Sequence, residues 1–126
     1  MIIEVLSRAF SICRLAKTPA PAELMEFCFY SATDEELSLL GPTSCAPADA
    51  LKREDGYRGF CFAGTLDFGL IGILARAAAL LADKNIPVFA VSTCNTDYIF
   101  VKDDFFLSAL EALKGEGYEV RENLIP

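Results

Sequence analysis

The sequence predicts an α+β fold in which antiparallel strands alternate with helices, and three observations carry it. Apolar positions at Leu70, Ile73, Leu74, Ala77 and Leu81 recur at helical spacing. Twice a polar turn separates two short apolar runs, Thr33-Asp34-Glu35-Glu36 in the first half and Thr93-Cys94-Asn95-Thr96 in the second, and each reads as a hairpin. A second helical stripe, Phe106, Ala109, Leu110 and Leu113, opens on the acids Asp103-Asp104 and stops at Gly115 and Gly117.

In chain order, residues 2–6 form a weak strand, and Phe10-Ser11-Ile12-Cys13-Arg14-Leu15 alternates well enough for a second. Thr18-Pro19-Ala20-Pro21 breaks the pattern, and residues 22–26 have room for about one turn of helix. The first hairpin joins 27–31 to 37–40, and Gly41 to Ala48, with Pro42 and Pro47, is a loop that finishes in a short helical turn near 49–52. Lys52-Arg53-Glu54-Asp55-Gly56 is charged and ends in glycine, so it reads as a connector to a strand at 57–63, where Phe60 and Phe62 share a face. Asp67 is placed to cap the next helix by accepting the amide hydrogens of Gly69 or Leu70. After Pro87 the second hairpin joins 88–92 to 97–101, and 118–121 is the last strand. Strand, helix, hairpin, helix, strand is the split βαβ pattern of a ferredoxin-like fold. The first half repeats the strand, a stunted helix and the hairpin, then loses its second helix to the proline-bearing loop. A duplicated module follows, residues 1–55 being a degenerate copy and 56–126 the complete one.

Composition narrows the function. With 11 Lys and Arg against 18 Asp and Glu, the net charge is −7, and an acidic surface repels phosphate backbones and anionic lipid, so neither nucleic acid nor a membrane surface is expected as a partner. The uncharged apolar stretch from Phe68 to Ala75 is far short of the roughly 18 residues a spanning helix needs. Glu4 stands where an export signal would carry a base, so a cytoplasmic protein is expected. The five cysteines, Cys13, Cys28, Cys45, Cys61 and Cys94, show no paired spacing, and no histidine accompanies them, which argues against a zinc site and for small hydrophobes in a reducing compartment. Without histidine there is no Cys-His or Ser-His nucleophile pair, and no phosphate-cradling glycine loop ends in Lys-Ser or Lys-Thr, so neither catalytic residues nor a cofactor are expected. The hydrophobic fraction, 53%, exceeds ordinary usage and points to a subunit interface, most simply a twofold homodimer.

The segments from Gly64 to Ala75 (GTLDFGLIGILA) and from Val91 to Val101 (VSTCNTDYIFV) resemble the family of small tandem ACT-domain proteins related to the aspartokinase regulatory domain and the cytosolic arginine-sensor proteins. The likeness covers the whole chain in layout, and at the level of motifs roughly residues 57–113. It implies two ACT-like units side by side, no catalysis, and amino acids held at the interface of the units. Two positions depart from the family pattern: Cys94-Asn95 replaces an aromatic residue followed by aspartate, and Gly69 stands where serine is common. Both fall in the expected pocket, so the ligand of a relative does not carry over.

A free amino acid offers a carboxylate and an ammonium. The strand-to-helix turn Leu66-Asp67-Phe68-Gly69-Leu70-Ile71-Gly72 suits the carboxylate, since exposed amides and the positive end of a helix dipole lie there and Gly69 and Gly72 keep no side chain in the way. Those glycines could equally serve close helix packing, and Asp67 could be a cap alone. At the second hairpin Ser92, Thr93, Asn95, Thr96 and Asp97 gather polar groups between apolar strands, either as turn chemistry or with Asn95 and Asp97 accepting from an ammonium. Cys94 is expected as pocket wall or core. A module that associates without a ligand is the alternative to an amino-acid binder.

Overall fold

The computed structural model describes residues 1–17, 25–64 and 71–125, the side chains of 123–125 excepted. Its elements in order are β1 (Ile2–Leu6), β2 (Phe10–Leu15), β3 (Phe29–Ala32), β4 (Leu37–Pro42), a 3-10 turn (Thr43–Cys45), β5 (Lys52–Phe62), α1 (Ile73–Asp83), β6 (Phe89–Ser92), β7 (Asp97–Lys102), α2 (Asp103–Gly115) and β8 (Glu119–Ile125). Two units divide the chain: Met1–Ser7 together with Tyr57–Pro126, and Arg8–Gly56. The first five residues of β5 count with the second of these and the last six with the first.

In the larger unit the strands run in the order β6-β7-β5-β1-β8. β7 is antiparallel to β5 and to β6, while β1 is antiparallel to β5 and parallel to β8. The chain's opening strand therefore lies between the two strands that a plain ferredoxin-like unit would pair directly. One sheet face presents Ile3, Val5, Phe60, Phe62, Ile99 and Val101 to Ala77 and Leu81 of α1 and to Phe106, Ala109, Leu110 and Leu113 of α2, and these side chains form one core. Period-two alternation on the strands and period-3.6 stripes on the helices put those residues together. Gly59 belongs to the opposite face, where a Cβ would come within 2.5 Å of the Phe100 ring, so the absence of a side chain lets that buried ring lie flat across β5.

Both helices end where the backbone turns left-handed. Asn85 (φ 59°) follows α1, and the Ile86 and Asn85 amides donate to Leu81 and Ala82 at 3.0 and 2.9 Å. Gly117 (φ 94°) follows α2, with Tyr118 and Gly117 donating to Leu113 and Lys114 at 3.1 and 3.0 Å. These are paired Schellman bonds that satisfy carbonyls otherwise left open. Asp103 and Asp104 at the start of α2 and Lys114 at its end complement the helix dipole.

The smaller unit orders its strands β3-β4-β2-β5, with β4 antiparallel to both β3 and β2. Its hairpin and the β6-β7 hairpin share one plan at an offset of 60 residues: Phe29 pairs with Leu40 and Ala32 with Leu37, as Phe89 pairs with Phe100 and Ser92 with Asp97. The Thr33 and Thr93 amides each close their turn at 2.9 Å, on Glu36 and Thr96 oxygens.

Three sequence expectations are corrected. The charged segment at 52–56 is strand, not connector: the Leu51 amide donates to the Arg14 carbonyl at 2.8 Å, and Arg53 Nε pairs with Asp55 Oδ1 at 2.7 Å. A ladder uses backbone groups and leaves side chains free to face solvent, so a run of charges does not exclude a strand. The short helical turn forms at Thr43–Cys45 and not near 49–52. Finally, α1 begins at Ile73, with Gly72 as its N-cap at φ 76° and no side-chain cap. Asp67, expected as that cap, lies outside the described residues and five positions from Gly72. Among the described residues no helix is long and apolar enough to cross a membrane.

Candidate functional site: the β6-β7 turn and the start of α1

The β6-β7 turn is built by two threonines. Thr93 Oγ1 donates to the Thr96 carbonyl at 3.1 Å and accepts from the Thr96 amide at 3.3 Å, beside the 2.9 Å backbone bond that closes the turn. Thr96 is buried, and its hydroxyl donates to the Phe62 carbonyl at 2.9 Å. That bond ties the turn to the last residue of β5, from which the chain continues toward Ile71 and Gly72 at the start of α1. Thr96 is thus occupied in holding the hairpin to the strand end.

Next to the turn, Ser92 and Asp97 face each other across the hairpin, and Ser92 Oγ donates to Asp97 Oδ1 at 2.6 Å. Among the described residues the partner of this carboxylate is that hydroxyl, and neither a turn amide nor a cation. A carboxylate has about four lone-pair directions, so one hydroxyl leaves capacity for a further donor. Cys94 and Asn95 are exposed at the tip of the turn. Of the two expectations for Cys94, pocket wall or core, its exposure is against the core.

At α1, Ile71 is 85% exposed, and Gly72 supplies the helix's first carbonyl, accepting from the Arg76 amide at 2.9 Å. Close packing does not explain this glycine, because a Cβ there would meet nothing nearer than Arg76 Nη2, at 3.9 Å; the left-handed backbone does. The same geometry brings the Arg76 guanidinium back over the uncapped start of the helix. Sequence reasoning did not single out Arg76. Its spacing of four from Gly72 was the available signal, since residues i and i+4 share a helix face. Asp67, Phe68, Gly69 and Leu70 lie outside the described residues.

Two buried thiols, Cys61 and Cys13, are poorly suited to nucleophilic chemistry. Burial, with the Glu4 carboxylate alongside, pushes Cys61 up to about 11, and burial raises Cys13 with partial relief from Arg53. A thiol held protonated at neutral pH is a weak nucleophile and ligand. Among the described residues no three histidine, cysteine, aspartate or glutamate side chains group so as to hold a metal ion.

Against known families, the ACT domain model matches residues 52–115, half of the chain and the whole of the segment from β5 through α2. The chain belongs to the ACT domain family. ACT domains are regulatory modules that bind small ligands, amino acids among them. Among solved structures, this ACT protein is similar to the protein Atu0741 from Agobacterium tumefaciens, with a TM-score of 0.87 and 25% identity over 98% of this chain and 93% of that one. Its fold is also shared with the allosteric aspartate kinase of Clostridium acetobutylicum (TM-score 0.63, 12% identity, 86% of this chain and 33% of that chain). A chain of the aspartokinase alpha and beta subunits is similar over 91% of this chain and 96% of its own length, at TM-score 0.63 and 11% identity. No curated protein matches the sequence.

Proposed function

We propose that this ACT protein is a cytoplasmic, non-catalytic regulatory module that binds a free amino acid. The family match over residues 52–115 is the observation that carries the reading, because it spans both the turn before α1 and the β6-β7 hairpin. The carboxylate would be taken by amides at the start of α1 and by Arg76, and the ammonium by Asp97 and Asn95. The uncapped helix start under the Arg76 guanidinium, and the remaining acceptor capacity of Asp97, support that division. The identical plan of the two hairpins, and the shared 2-3-1-4 connectivity of β2-β3-β4-β5 and of β5-β6-β7-β8 around the inserted β1, support two copies of one module, the first degenerate within residues 1–55. A homodimer accompanies this reading: Phe89 on the outer strand β6 is 45% exposed and Leu107 on α2 73% exposed.

A thermal-denaturation screen against the twenty amino acids tests it. One of them, at about a hundred times its dissociation constant, should stabilise the fold by roughly 2.7 kcal/mol and raise Tm on the order of 10 °C. Light scattering on the same sample should report at least twice 13.7 kDa. No response to any amino acid at millimolar concentration would end the ligand reading and leave an association module.

A further inference from the structure

We propose that the tip of the β6-β7 turn is a cation subsite, where the main-chain carbonyls of Cys94 and Asn95 receive the ammonium of a bound amino acid in the place that Lys17 and Arg14 fill in the smaller unit. The inference rests on the amino-acid reading and adds the atoms that take one end of the ligand.

The two hairpin turns are built alike. In each a threonine amide closes the turn, and the threonine hydroxyl accepts an amide from the far end, Thr33 from Glu36 at 3.1 Å and Thr93 from Thr96 at 3.3 Å. The Asp34 and Glu35 carbonyls therefore correspond to those of Cys94 and Asn95. In the smaller unit these carbonyls have cationic donors: Lys17 Nζ donates to the Asp34 oxygen at 2.5 Å, and Arg14 Nη2 to the Glu35 oxygen at 3.3 Å. Such charge-assisted bonds are stronger than those between neutral groups, and the three N–H groups of an ammonium suit carbonyls gathered at a turn.

The larger unit keeps the acceptors and lacks the donors. Phe10 pairs with Pro42 as Tyr57 pairs with Lys102, and Arg14 with Ser38 as Cys61 with Tyr98. Cys61 thus holds the place of Arg14 and, three residues on, Gly64 holds that of Lys17. Neither brings a cation, since Cys61 is a buried thiol and Gly64 has no side chain. A Cβ at Gly64 would meet no atom within 4 Å, so the space beside this backbone is open. Among the described residues no side chain donates to the Cys94 or Asn95 carbonyl, and both residues are exposed. The Asp97 carboxylate, with capacity for a further donor, stands two positions on. An ammonium from outside would complete here what lysine completes within the smaller unit.

The probe is n-butylammonium, which reproduces the end of a lysine side chain. It is titrated into the full chain at constant ionic strength while carbonyl carbon shifts are followed by NMR. The Cys94 and Asn95 carbonyls should shift saturably, whereas those of Asp34 and Glu35 stay still because Lys17 and Arg14 hold them. Tetramethylammonium, with the same charge and no N–H, should move neither pair. Lys17→Ala should add Asp34 to the responding carbonyls and leave Cys94 and Asn95 as before. Silence at Cys94 and Asn95, an equal response to tetramethylammonium, or an Asp34 carbonyl that stays still in Lys17→Ala overturns the proposal. The amino-acid reading is judged apart from it. An amino acid that raises Tm while n-butylammonium leaves both carbonyls still keeps that reading and removes the subsite. Shifts at both carbonyls with no amino acid active keep the subsite as one for simple amines and remove the amino-acid ligand.

Discussion

Asp97 shows how much one side chain can carry. Its carboxylate accepts from Ser92 across the hairpin, and an asparagine at 97 could accept the same bond through its amide oxygen. Asp97→Asn should therefore cost the fold no more than about 1 kcal/mol. If the carboxylate also receives an ammonium, the change removes a charge-assisted bond of roughly 1.5–3 kcal/mol and weakens amino-acid binding about 10- to 150-fold. Calorimetry beside a urea titration separates the two quantities, and unchanged affinity in the mutant would make Asp97 purely structural. At this scale the sequence showed which residues gather at the turn but not how they divide the work. Five polar side chains within six positions are visible in the letters. That Thr96 spends its hydroxyl on Phe62, 34 positions away, depends on where β5 ends, and no local pattern reports that.

For the elements, the start of α1 is the informative case. The stripe from Leu70 and an acid at Asp67 made an earlier helix start reasonable, because period and cap are the signals a sequence offers. The structure starts at Ile73 because Gly72 turns left-handed, a choice glycine permits but does not announce. Gly72→Ala should destabilise the chain by about 1–2 kcal/mol in urea, the cost of holding an L-residue in that conformation. No steric term should add to it, since the space around Gly72 is open to 3.9 Å. An unchanged urea midpoint would mean that the helix start shifts at no cost. The helix ends were easier to read for α2, which Gly117 does terminate, than for α1, where Asn85 makes the left-handed turn and was not singled out. The strand at 52–56 was hidden by its charges, since a solvent-facing strand and a connector have the same composition.

Across the whole molecule, buried thiols and phenols set the response to alkali. Cys61, Cys28 and Cys13 are raised above the ordinary 9.0 by burial, the first two to about 11, and Tyr98 is raised above 10.0 by burial and by Cys61 and Glu4. Each stays neutral in the fold while its unfolded counterpart ionises. Stability from this source is therefore complete below about pH 9 and is lost as pH rises toward 11, by up to about 3 kcal/mol for a fully buried thiol. The urea midpoint should hold steady from about pH 6 to 8 and fall from 9 to 11, and Cys61→Ala should flatten the fall. A midpoint that declines equally in the mutant would remove Cys61 from the cause. The α+β class, both hairpins and the two helices were legible because each is a local period. The place of β1 was not, since a five-residue strand reads the same whichever neighbours it takes.

That place bears on how the chain is made. Ile2 pairs with Glu119, and the Glu119 amide donates to the Met1 carbonyl at 3.1 Å, so β1 waits during synthesis for a strand that lies far later in the sequence. At roughly 5–20 residues per second, β1 spends on the order of ten seconds with an open edge. It can rest against β5 once Phe60–Phe62 emerge, but its other side stays a bare row of amides and carbonyls until β8 arrives. While the chain is being made, that open edge of β1 is the place where another strand can pair in error.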